Sequence, residues 1–125
     1  MRVKGIVWLG TRTPRFAQMR DFFAALAGQP HTDDDAFAVW DLENGDRLEV
    51  FGPDGDAPPY VEAPVAGFLV DDVTAARAEL ERHGAEFIGP VHAYGDGNEW
   101  SHFRAPDGHV YEVTNRPDHP LRRGE

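Results

Sequence analysis

Asn44-Gly45-Asp46-Arg47-Leu48-Glu49-Val50 and Asp107-Gly108-His109-Val110-Tyr111-Glu112-Val113 carry one pattern: a turn, three residues, then a glutamate and a valine on a strand. Self-similarity of this kind is read before anything else, because it sets the unit from which the fold is built. In both copies the glutamate stands among apolar neighbours, where a strand does not ordinarily take a charge. If the halves pack as pseudo-symmetric copies, Glu49 and Glu112 are expected to face one another across a shared cleft. Converging carboxylates can hold a metal, move a proton or bind a cation.

Working outward, the same order of elements is found on each side of residues 52–64. In the first half, 5–9 reads as a strand bounded by Gly10 and Pro14. Phe16, Met19, Phe23, Leu26 and Ala27 then fall at helical spacing, with Pro14 near the start and Gly28 at the end. Residues 29–35 read as a turn or weak strand, with Asp33-Asp34-Asp35 as a solvated loop, and 37–42 and 47–51 as strands joined at Asn44-Gly45. In the second half, 65–70 reads as a strand and 73–83 as a helix ended by Gly84. Strands follow at 85–92, 98–105 and 109–115, with a turn at Tyr94–Asn98. The expected organisation is a single domain over 1–125: module one 1–52, linker 53–64, module two 65–116 and tail 117–125. Each module runs strand–helix–strand–strand–strand. Arg122-Arg123 is expected to belong to a frayed, solvated tail.

Composition narrows the partners. A chain of 125 residues suits one compact domain that buries roughly two-thirds of its unfolded surface. The net charge is -10 and the pI about 4.9, which argues against nucleic acid or an anionic membrane as partner. With no cysteine, thiolate metal sites, disulfides and cysteine nucleophiles are excluded. Ser101 is the only serine, and no His–acid pairing can be assigned to it, which removes support for a hydrolytic triad. No apolar stretch approaches the ~20 residues of a membrane-spanning helix, and the start enters a strand without an apolar targeting segment. A cytoplasmic protein is expected.

Side chains alternate along a strand, so neighbours identify the faces. Leu48, Val50, Val7 and Leu9 suit the face covered by helices, which leaves Trp8, Glu49, Phe51 and Glu112 on the other. A mostly apolar face with few polar groups is the character of a ligand cleft. Of the six histidines, His102 shares a face with Trp100 and Arg104 just before the final hairpin. His83 lies at a helix end, His31 and His119 in loop or tail, His109 in a turn, and His92 has no evident partner.

The chain resembles the vicinal oxygen chelate superfamily, which includes glyoxalase I, extradiol dioxygenases and bleomycin-resistance proteins. The resemblance spans 5–115 and is carried by Phe68-Leu69-Val70-Asp71-Asp72-Val73 and by Phe103-Arg104-Ala105-Pro106-Asp107-Gly108-His109-Val110-Tyr111-Glu112-Val113. Arg20-Asp21-Phe22-Phe23 with Leu26-Ala27-Gly28 adds to it. It implies an α+β fold of two βαβββ modules whose curled mixed sheet surrounds a cleft, and often a homodimer. Metal-dependent members draw one ligand from the opening and closing strands of each module. Glu49 and Glu112 match the closing-strand positions, while Trp8 and Val65 stand at the opening-strand positions and cannot coordinate a cation. The resemblance also places His102 beside Glu112.

No four-ligand metal centre is therefore expected. A divalent metal, were one held, would sit on Glu49, Glu112 and His102 with open positions for water. The same residues would serve as a metal-free acid–base pair, or His102 and Glu112 would simply brace neighbouring strands. The leading expectation is a protein that binds a small organic molecule between its modules. Trp8, Phe51, Val65 and Trp100 would line the site, and Trp40 would offer a further flat surface. A lyase or isomerase using Glu49, Glu112 and His102 is the alternative, and a non-catalytic interaction module the third.

Overall fold

The computed structural model describes residues 1–54 and 63–122. Most of the expected linker and the end of the tail, including Arg123, lie outside the described residues. The chain divides into two compact units: Trp8–Val65, and Met1–Val7 with Ala66–Glu125.

The first unit holds most of β1 (Gly5–Arg12), then α1 (Phe16–Ala27), β2 (Thr32–Asp33), β3 (Phe37–Asp41) and β4 (Arg47–Phe51). Strands β2, β3 and β4 pair antiparallel in sequence, and β1 lies parallel to β4. Strand β1 does not stop at Gly10 but runs on to Arg12. Helix α1 ends where Gly28 takes a left-handed φ of 86°, a conformation glycine adopts without a Cβ clash. Its buried residue, Phe23, meets Trp40 edge-on at 5.8 Å, and both pack with Ala38, Leu48 and Val50. Trp40 is only 1 % exposed, and its indole N–H donates to the Gly28 carbonyl at 2.8 Å. It is a core residue that fastens the helix end to β3, not a ligand surface. Leu9, expected beneath a helix, is 39 % exposed.

The second unit repeats the order with most of β5 (Val65–Leu69), then α2 (Val73–Arg82), β6 (Glu86–Tyr94), β7 (Asn98–Arg104) and β8 (Val110–Thr114). Strand β5 is parallel to β8, and β8, β7 and β6 pair antiparallel. The Asp72 carboxylate caps α2 by accepting from the Ala75 N–H at 3.0 Å. Val73 and Ala76 of α2 pack with Val70, Phe103 and Val113. The fold is thus α+β, built from two βαβββ modules in one chain.

The segment after β8 departs from a frayed tail. The Arg122 guanidinium pairs with Asp71 at 3.1 Å and donates to the carbonyls of Val70 and Asn115. Arg116 and His119 are buried, and the Leu121 N–H donates to Nδ1 of His119 at 3.1 Å. Carbonyl and carboxylate partners, rather than apolar periodicity, hold this stretch, so its docking left no hydrophobic pattern to read.

Candidate functional site

The registers of the two modules are equivalent at the point that matters. Gly10 of β1 lies opposite Glu49 of β4, and Gly67 of β5 lies opposite Glu112 of β8. Counting two residues back along each opening strand reaches Trp8 and Val65, the positions that the sequence pairs with one another.

In the first module the indole of Trp8 lies along its own strand over Gly10. A Cβ at position 10 would fall well inside van der Waals contact of the six-membered ring. From there the indole N–H donates to Oε1 of Glu49 at 2.9 Å. Trp8 is 8 % exposed and Glu49 is half-buried, so this bond forms in a partly desolvated setting, where it is stronger than in water. Gly10 was legible as a strand ending but acts inside the strand, where glycine marks a close approach of other atoms. Phe51, on the same strand face as Glu49 by alternation, stacks on Phe37 with centroids 6.4 Å apart. Val65 is 2 % exposed.

In the second module His102 and Glu112 are directly opposed on β7 and β8. Nε2 of His102 lies 3.3 Å from Oε1 of Glu112, with both side chains nearly buried. Burial pushes the Glu112 carboxyl above its ordinary value; His102, then the charges of His92 and Arg116, work against that shift. Two residues along β7 from His102, Trp100 stacks with His92 of β6 at 5.7 Å. His92 therefore has a partner that the sequence did not disclose, because the pairing depends on a register shift in β6. Ser101, between Trp100 and His102, turns to the opposite face and is fully buried.

The structure thus brings Trp8 to Glu49 and His102 to Glu112, each pair within its own unit. Among the described residues, no group of three or more His, Asp and Glu side chains is placed to hold a metal ion. The donor set does not fit a four-ligand centre: an indole that donates to Glu49 and an aliphatic Val65 occupy the opening-strand positions. The Asp33–Asp35 run, read as a solvated loop, is exposed, and its first member forms an ion pair with Arg20. No helix among the described residues is long and apolar enough to cross a membrane.

These features define a class before they define a chemistry: paired βαβββ modules, each closing on a strand glutamate. The chain belongs to the Glyoxalase/Bleomycin resistance protein/Dioxygenase superfamily, whose match covers residues 5–113. Among solved structures it is similar to the Mn(II)-bound glyoxalase from Novosphingobium aromaticivorans, at 22% identity and a TM-score of 0.69. That alignment covers 90% of this chain and 39% of the other. It is also similar to a superfamily member from Vibrio splendidus 12B01, at 14% identity and a TM-score of 0.61, covering 88% and 97% of the two chains. Streptomyces coelicolor methylmalonyl-CoA epimerase follows at 15% identity and a TM-score of 0.58, covering 90% and 97%. Identities this low speak to the fold alone. No curated protein sequence matches the chain.

Two outcomes check this geometry. Gly10→Ala displaces the Trp8 ring and breaks its bond to Glu49. A loss of about 1–3 kcal/mol in urea denaturation is expected from the overpacking, with a change in near-ultraviolet circular dichroism. The second concerns pH. Because folding raises the Glu112 carboxyl above its ordinary 4.5, the native state keeps a proton that the unfolded chain releases. Its contribution to stability is therefore complete below that value and is lost as pH rises through the folded value. Glu112→Gln removes this slope, so the variant's melting temperature should gain on that of the wild type as pH is raised. An unchanging difference across pH would show that Glu112 does not titrate abnormally.

Proposed function

We propose that this protein binds a small organic molecule at a site built around a closing-strand glutamate, without a four-ligand metal centre. The observation that carries the reading is the Trp8 indole, which donates to Glu49 from the position where a metal-dependent relative would present a ligand. In the second module, Glu112 and His102 supply a buried polar pair, and Trp100 with His92 supplies an aromatic wall. Trp8 and Phe51 are the proposed lining in the first module, and Val65 in the second. The net charge of -10 and the aromatic surfaces favour a planar or cationic guest. We take the working form to be a homodimer in the cytoplasm.

The test is the melting temperature of metal-stripped protein with Mg, Mn, Fe(II), Co, Ni and Zn. A site filled at 100 times its dissociation constant adds ~2.7 kcal/mol of stability. No saturable rise is expected with any of them, whereas planar organic cations from a small panel should raise the melting temperature and change tryptophan emission. Trp100→Leu and His102→Ala should abolish both responses to the organic guest. A saturable metal response removed by Glu49→Ala and Glu112→Ala would overturn the metal-free reading.

One observation favours a catalytic role as a second reading. A buried carboxyl with a raised pKa, 3.3 Å from an imidazole, has a neighbour with which to exchange a proton. The similar epimerase structure is in complex with 2-nitronate-propionyl-CoA. An acyl-thioester with an acidic α-hydrogen is therefore the first substrate class to try. Incubation in deuterated water should introduce deuterium at that carbon, and Glu112→Gln should lower the rate at least about 100-fold, the scale of one general base. Equal exchange in the wild type and the variant would remove catalysis from consideration.

A further inference from the structure

Strand β6 carries an irregularity beside the aromatic wall. Between Ile88 and His92 it advances four residues, while β7 advances only two, from His102 to Trp100. Two residues are therefore extra, and they bulge out of the ladder. Gly89 sits there at φ 82°, and Pro90 brings no N–H to the sheet. Among the described residues, strand β6 pairs with β7 alone, and no described strand on its other side holds the bulge in place.

What does hold it comes from the opposite face. Arg77 of α2 donates from one guanidinium nitrogen to the Gly89 carbonyl at 2.9 Å and to the Ser101 hydroxyl at 2.9 Å. The Ser101 hydroxyl donates in turn to the Pro90 carbonyl at 3.2 Å. The guanidinium also lies over the Phe87 ring, 4.7 Å from its centre. The Gly89 and Pro90 carbonyls of the bulge are thus taken up by a side-chain clamp anchored in a helix and in a fully buried serine. The residue directly after the bulged stretch in the ladder is His92, opposite Trp100.

We propose that Arg77 and Ser101 are positioning residues for the binding site: by clamping the β6 bulge they fix the register that stacks His92 on Trp100. The proposal rests on the site reading above for its functional meaning. A bulge without the clamp has no unique extent, since Gly89 can adopt many backbone states and the edge strand can slip by a residue. A slip of one residue turns His92 to the opposite face and strips the wall from Trp100.

The experiment is proton NMR of the whole chain without any guest, following nuclear Overhauser effects between the His92 imidazole and Trp100 indole protons. Arg77→Met keeps an apolar stem over Phe87 but removes the donors, and Ser101→Ala removes the hydroxyl. Both should abolish the His92–Trp100 effects while leaving the His102 imidazole shifts in place, which a general loosening of the sheet would move. Persistence of the effects in Arg77→Met would overturn the proposal even if Ser101→Ala failed to fold. So would parallel loss of the His102 signature in both variants. Because no guest is present, this result is independent of whether the site binds one. A clamp that passes beside a protein that binds no organic cation would sink the site reading alone.

Discussion

A glycine set opposite a glutamate, in a parallel strand pair, is the constraint on which both halves of this molecule turn. In each module the opening and closing strands run side by side in parallel, and the glutamate of the closing strand faces a position with no side chain. In the first module that vacancy is taken by the ring of Trp8, which turns an aromatic residue into a hydrogen-bond donor for the carboxylate. Burying a charge is tolerated only when partners are supplied. The tryptophan supplies one through its indole N–H.

The second module meets the same problem with different residues. Val65, the counterpart of Trp8, has nothing to donate, so the burden passes across the sheet to His102. The long His102–Glu112 separation and the deep burial of the pair leave desolvation dominant, which favours a proton on Glu112. One repeated sequence pattern has thereby produced two chemically different carboxyl groups: one held by an indole N–H, the other biased towards its neutral form.

Several features of the site were open to reading from residues alone, and others were not. Alternation along short strands was enough to place Leu48 and Val50 on the covered face, and so Glu49 on the other. It did not reveal that Leu9 would stay exposed or that Trp40 would be swallowed by the core, because alternation names a face without saying what covers it. His92 was invisible as a site neighbour since its stacking on Trp100 requires an irregular ladder, and simple counting along β6 misplaces it. The docked segment after Asn115 escaped notice for a related reason: it is held by Arg122 through polar contacts that have no periodicity.

By itself, then, the sequence determined the α+β class, the doubled βαβββ order and the residues that close each module, because turn chemistry and hydrophobic alternation are local and repeat. Tertiary structure alone decided that Glu49 would take Trp8 as its partner, whereas the resemblance already placed His102 beside Glu112. Trp8 and Glu49 lie 41 residues apart, on strands joined only by parallel register. No local rule sets a distance of that kind. It follows from how far each strand slides before its apolar face is covered, and a shift of one residue would have sent every one of these side chains to the other side of the sheet.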